Sequence, residues 1–203
     1  SAQPAAGKPS EHAALALQSA REGITLIKNE GAVLPLSRKI RRLAVIGKLA
    51  GRKNIGDRGS SRVYPPYVVT LLEGIVRQAG GMQVSYYDGS DCEHMKQMAA
   101  QADAVVFVMG LDFRDEGEYT AAAQTPQYTD AGGTDRLHLG LHPADVQALR
   151  EAGPVNRRSV AVLMGGSTIT VSEWEKSISS ILLAYDPGQE GGSALGEILF
   201  GKI

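Results

Sequence analysis

Four carboxylates crowd into seven residues at Asp112, Asp115, Glu116 and Glu118, with Arg114 among them. Like charges this close raise the pKa of at least one member. A carboxyl kept protonated near neutral pH is what a general acid needs to protonate a leaving-group oxygen. A solvated acidic loop fits the same residues equally well on local grounds. A divalent-cation site is a third reading, weakened by the lack of a regular ligand spacing such as that of a calcium loop. A second cluster, Gly56, Asp57, Arg58, Gly59, Ser60 and Ser61, offers backbone N–H groups and hydroxyls to an anion or a sugar. A plain turn is the simpler account of it.

Other reactive side chains carry less. His138 and His142 stand four apart, but Pro143 reads as the first residue of a helix, so both histidines precede it and read as ordinary loop residues. Trp174 reads as packing against a sheet edge, and Cys92 as a packing residue at a helix start. There is no GxGxxG after the first strand, no GxxxxGK followed by Ser or Thr, and no GxSxG elbow. Dinucleotide, nucleoside-triphosphate and serine-triad chemistry therefore lose their main support. Neither a cofactor nor a metal is expected.

The elements that must position these residues alternate. Short apolar runs at Ile24–Ile27, Leu43–Ile46, Met82–Tyr86, Ala104–Met109, Ser159–Met164 and Ile181–Ala184 read as strands. Helical patterns fall at Val69–Gln78, Cys92–Gln101, Pro143–Glu151 and Gly191–Phe200, and another follows Ser10 as N-cap and runs to Gly23. This order predicts an α/β fold, a mainly parallel sheet with helices on both faces, flavodoxin- or Rossmann-like. The unbroken runs AVVFVMG and VAVLMGG fit strands covered on both sides. In such a sheet, ligands bind beyond the carboxyl ends of the strands, where both polar clusters fall. Residues 1–10 read as a linker or terminal arm, and 11–203 as one domain.

Composition is consistent with this. Glycine makes up 24 of 203 residues, well above the usual ~7%, which suits many tight turns. A single cysteine excludes an internal disulfide, and with four histidines it also excludes a cysteine-based zinc cage. Residues 1–62 hold 12 Lys/Arg against 4 Asp/Glu, and residues 63–203 hold 9 against 18. The basic run from Arg38 to Arg62 is broken by the apolar Leu43–Gly47 and has few aromatics to stack bases, so it reads as a solvated rim rather than a nucleic-acid surface. No stretch approaches the ~20 apolar residues of a membrane span. No membrane partner is expected, and the compartment stays open, a periplasmic or secreted setting requiring an upstream signal that has been removed.

One resemblance covers roughly nine tenths of the chain. AREGITLIKNEGAVLPL (Ala20–Leu36), LAVIGKLA (Leu43–Ala50), GDRGSSRVYPPYVVTLLEGI (Gly56–Ile75), ADAVVFVMGLD (Ala102–Asp112), EGEY, GTDRLHL and ILLAYDPGQEGGSALGEILFGKI (Ile181–Ile203) follow one another as in the second, α/β-sandwich domain of glycoside hydrolase family 3. The resemblance implies an (α/β)6 sandwich and retaining hydrolysis of a β-linked oligosaccharide or glucoside by two carboxyl groups. The nucleophilic aspartate would lie on a separate (β/α)8 barrel of roughly 250 residues. The acid/base would be Glu118, with Glu116 as the fallback because Tyr119 stands where the family commonly has glycine. Asp57, Arg58, Ser60, Ser61 and Arg62 match a family loop that faces the barrel cleft, and Asp112 would be a further substrate neighbour. Thr120–Gly133 reads as an insertion before the family's Asp-Arg pair, here Asp135 and Arg136. A non-catalytic carbohydrate-binding or regulatory module is the alternative.

Overall fold

A computed structural model describes residues 9–56, 63–116 and 138–203. Helix α1 (Pro9–Gly23) precedes β1 (Thr25–Asn29) and β2 (Arg42–Ile46). Then follow α2 (Leu71–Gln78), β3 (Gln83–Tyr87), α3 (Cys92–Gln101), β4 (Ala104–Gly110) and the four-residue α4 (Phe113–Glu116). The chain closes with α5 (Pro143–Ala152), β5 (Ser159–Met164), β6 (Ser180–Tyr185) and α6 (Gly191–Leu199). Among the described residues no helix is long and apolar enough to cross a membrane.

The six strands form one sheet in the order β1-β6-β5-β4-β2-β3. All neighbours are parallel except β1, which adds antiparallel to β6 at one edge. The mainly parallel α/β sandwich expected from the sequence is therefore present. Every residue of β4 and β5 is buried. Alternate side chains serve opposite layers: Val106 and Val108 join the core with Leu71, Ile75 and Leu195, whereas Val105, Phe107 and Met109 join that with Met95, Leu149 and Trp174. This is why their sequence is a continuous apolar run. Trp174 is only 1% exposed and belongs to the second core.

Local signals set the helix starts. Thr70 and Glu73 form a reciprocal capping box, so α2 begins at Leu71, two residues after the expected start. Asp91 caps α3 through the His94 N–H, and Pro143 occupies the first turn of α5 as expected. The Ser10 cap is a correction: α1 already starts at Pro9, because a proline tolerates the first turn, where its missing N–H has no intrahelical partner.

Helices α2 and α6 cross on glycine. A Cβ on Gly74 would lie 1.7 Å from the Gly192 carbonyl oxygen, and one on Gly196 would lie 2.4 Å from that of Gly74. Gly74→Ala is therefore expected to lower unfolding stability by about 1–3 kcal/mol, despite the roughly 1 kcal/mol that alanine gains over glycine inside a helix. Gly81→Ala, whose Cβ meets nothing within 4 Å, is the control. Urea unfolding of both variants checks this, and equal midpoints would show that the helices do not meet this closely.

Candidate active site

The sheet delivers its loops at the carboxyl edge, and β4 is the central delivery point. It ends at Gly110, whose φ of 140° belongs to glycine and whose absent Cβ would otherwise lie 2.0 Å from the Met164 carbonyl oxygen of β5. The chain then turns at once into α4.

Helix α4 is held by its own carboxylates. Asp112 precedes it and accepts from the Arg114 N–H at 3.0 Å, while the Asp115 carboxylate accepts from the Asp112 N–H at 2.9 Å. This reciprocal pair is a capping arrangement built from two aspartates. Asp112 is only 8% exposed and also pairs with Arg52 at 3.3 Å and Arg114 at 3.5 Å. Buried Asn54 donates to the Leu111 carbonyl, fastening the segment after β2 to the start of this loop.

Asp115 has a second partner, since Nε2 of His142 lies 2.9 Å from its Oδ1. Burial acts to raise the Asp115 pKa, but hydrogen bonding from His142 and the Asp112 N–H outweighs it and holds the carboxyl below the ordinary aspartate value. His142 moves the other way, raised by Asp115 against its partial burial. Asp145, in the first turn of α5, accepts from the Gly110 N–H at 3.4 Å, and burial pushes its carboxyl up, opposed by Lys48. Lys48 and Asp145 line a cavity of about 250 Å³ between β2 and β4, where the strand order reverses. Among the described residues, no group of three His, Cys, Asp or Glu is arranged to hold a metal ion.

Glu116 ends α4 and reaches the exit of β5. One oxygen accepts from the Gly166 N–H at 2.7 Å, the other from the Ser167 hydroxyl at 3.2 Å. Asp186, just past β6, crowds the same turn: a Cβ on Gly166 would lie 3.0 Å from Asp186 Oδ2 and 3.8 Å from Glu116 Oε2. Tyr185, which precedes Asp186, has a φ of 53°, unusual for a bulky residue. The exits of β4, β5 and β6 thus meet at Gly166, with Gly56 also beside Asp186.

Of the residues singled out in the sequence, Asp112 and Glu116 fall here, whereas Asp57, Arg58, Ser60, Ser61, Arg62 and Glu118 lie outside the described residues. One expectation is corrected. His142 is no ordinary loop residue but the partner of Asp115. Asp115 is not the member of the cluster whose pKa is raised, because cap and imidazole outweigh its burial. Gly166, Ser167 and Asp186 went unnoticed as residues, and their one signal is their position immediately after strands.

Comparison with known proteins gives a consistent picture. The family model described as the glycosyl hydrolase family 3 C-terminal domain matches residues 24–203. The chain is 35% identical over 202 residues to beta-D-xylosidase 3 of Arabidopsis thaliana, covering 93% of this chain and 23% of that protein. It is 30% identical over 204 residues to thermostable beta-glucosidase B of Acetivibrio thermocellus, covering 95% and 25%. It is also 28% identical over 210 residues to an exo-alpha-(1->6)-L-arabinopyranosidase of Bifidobacterium longum, covering 95% and 26%. Among solved structures, the GH3 beta-glucosidase of Bifidobacterium adolescentis superposes with a TM-score of 0.78 at 27% identity, over 100% of this chain and 29% of that one. The chain spans about a quarter of the length of these curated relatives.

The His142–Asp115 pair has a defined pH window. With its pKa above the unfolded value of 6.5, His142 contributes stability that is complete below that pH and lost as pH rises through the folded pKa. The Asp115 contribution is complete above 3.8 and lost as pH falls through its lower folded pKa. An NMR titration of His142 is expected to show a midpoint above 6.5 that drops in Asp115→Asn, since the hydrogen bond and the charge of Asp115, the main causes that raise it, are then removed. An unchanged midpoint would mean that the two side chains do not interact.

Proposed function

We propose that this chain, which belongs to glycosyl hydrolase family 3 as its C-terminal α/β domain, supplies the acid/base of a retaining exo-β-glycosidase whose nucleophile lies on a partner (β/α)8 barrel. The assignment to Glu118 comes from the match of Glu116–Tyr119 to the family's acid/base loop, and the observation that supports it is the occupation of its neighbours. Of the four clustered carboxylates, Asp112 caps α4, Asp115 completes that cap and pairs with His142, and Glu116 is bound to the exit of β5. Each of these three is engaged within the domain, which is consistent with the acid/base role that the family resemblance assigns to Glu118.

In this reading, Glu118 first donates its proton to the departing glycosidic oxygen while the barrel aspartate attacks the anomeric carbon. It then takes a proton from the water that releases the sugar. Asp57, Arg58, Ser60, Ser61 and Arg62 contact substrate at the rim of the shared cleft. Asp112, paired with Arg52, is a further substrate neighbour. The substrate is a terminal β-D-glucosyl residue, a choice supported by the likeness to the two beta-glucosidases. No cofactor takes part.

Two outcomes test this. The isolated chain should hydrolyse no aryl β-glucoside until joined to its barrel; activity of the chain alone would place the nucleophile within these residues. A chain that stays silent with the barrel yet binds the sugar would be a carbohydrate-binding module. In the enzyme containing both domains, Glu118→Ala should lower kcat/KM on glycosides with poor leaving groups by about 10²–10⁴-fold and change kcat/KM on activated aryl glycosides little, while the slowed release of the sugar from the latter should be rescued by azide, which needs no general base. Equal slowing of both substrate types would remove Glu118 from the role.

A further inference from the structure

We propose that the cavity between the exits of β2 and β4 binds a small neutral polyol, of the size and chemistry of a single sugar ring. The inference goes beyond the acid/base reading of Glu118 and does not depend on it.

Three observations support it. First, the place is where a sheet of this kind takes a ligand. The chain moves from β2 outward to β3 and then back across β2 to β4, so the connections diverge and open a crevice at the carboxyl ends of the strands. Bare backbone lines part of it. Gly47 has a φ of 121°, and a Cβ there would lie 2.0 Å from the Val108 carbonyl oxygen. Gly89, with a φ of 87°, packs against it, 3.6 Å separating the Gly47 Cα from where a Cβ on Gly89 would stand. Neither position puts a side chain into the crevice.

Second, the volume of about 250 Å³ lies just below the ~300–1,000 Å³ of pockets for drug-sized ligands and equals the share of about eight waters. That suits one ring and is too small for an oligosaccharide or a dinucleotide.

Third, the charges that line the cavity balance and are held apart. Lys48 and Arg52 enter from the segment after β2, Asp88 from that after β3, and Asp145 from the first turn of α5. Arg52 is already paired with Asp112, and Asp88 accepts from the Ser90 N–H at 3.0 Å. Lys48 and Asp145 act on one another through space, with no hydrogen bond between them. The half-buried Asp145 carboxylate accepts, among the described residues, from the Gly110 N–H alone, at 3.4 Å, which is little for a carboxylate withdrawn from water. A hydroxyl both donates and accepts, so a bridging hydroxyl satisfies carboxylate and ammonium together. An anion would be repelled by Asp88 and Asp145, and a cation by Lys48 and Arg52, whereas a neutral polyol meets neither repulsion. Leu49, Val108 and Met109 in the same lining suit the C–H face of a ring.

Titration of the 203-residue chain with D-glucose in a phosphate-free buffer, followed by amide NMR shifts, tests this. Saturable shifts should appear at the Gly47, Gly89 and Asp145 N–H groups, with half-saturation on the order of 1–10 mM. Lys48→Met and Asp145→Asn should each weaken binding about tenfold, the loss of one hydrogen bond to a charged group. Inorganic phosphate should leave the same N–H groups unmoved.

No saturable shift at these positions, or shifts confined to Gly166 and Ser167, would overturn the site. A stronger response to phosphate than to glucose would overturn the ligand class. Should Asp145→Asn fail to fold, Lys48→Met decides, since its side chain is exposed: an unchanged half-saturation refutes the bridging role, and a tenfold weaker one supports it. None of these outcomes bears on Glu118, whose test is the leaving-group dependence of the two-domain enzyme.

Discussion

The structure depends on how the central strand ends. Every residue of β4 is buried, between β2 and β5 in the sheet and between two apolar layers across it. A strand so enclosed can release its chain only at its carboxyl end, and there the neighbouring backbone stands so close that Gly110 has no room for a Cβ. The abrupt exit places the carboxylates beside the ends of β2, β5 and β6. Their chemistry follows from that burial, because a looser strand end would let them spread into solvent.

Once there, like residues acquire unlike roles from their surroundings. Asp112 and Asp115 each accept a backbone N–H of the segment they flank, so their charge completes a helix start. Asp145 has no comparable set of donors, and burial dominates it. Glu116 differs again in reaching a neighbouring strand exit. The same functional group is thus a cap, a half-buried acid or a tether according to which donors the fold brings within 3 Å or so.

What the sequence reveals follows from how local each cause is. The central strands β2, β4, β5 and β6 were legible because burial on both faces writes itself as contiguous Val, Ile, Leu, Ala and Met, α3 was legible from its pattern over Cys92–Gln101 and α5 from Pro143 at its start. Helix α4 was not, since four residues with one apolar member carry no helical period. The direction of β1 was likewise hidden: antiparallel pairing at an edge is decided by the route of the connection, not by the residues of the strand. The partners of Asp115 and Glu116 lie 27 and about fifty residues away, and one of them is a backbone N–H, which any residue but proline supplies.

The basic first third shows how such non-local placement redistributes charge. The apolar Leu43–Gly47 that breaks the run from Arg38 to Arg62 is largely β2, which separates Arg38, Arg41 and Arg42 from Lys48 and Arg52 by the length of a strand, about 17 Å. Arg38, Arg41 and Arg42 stay at the amino edge of the sheet. There Arg38 donates to the Gln78 carbonyl and lies over the Phe200 ring, while the Arg41 and Arg42 N–H groups are taken by Asp103. Lys48 and Arg52 emerge at the carboxyl edge, against Asp145 and Asp112. A surplus that would suit a polyanion as one patch instead serves two edges, and at the carboxyl edge it offsets the carboxylates that crowd the exit of β4. At that edge Lys48 and Arg52 of the positive first third face Asp145 and Asp112 of the negative remainder because β2 and β4 are neighbours in the sheet.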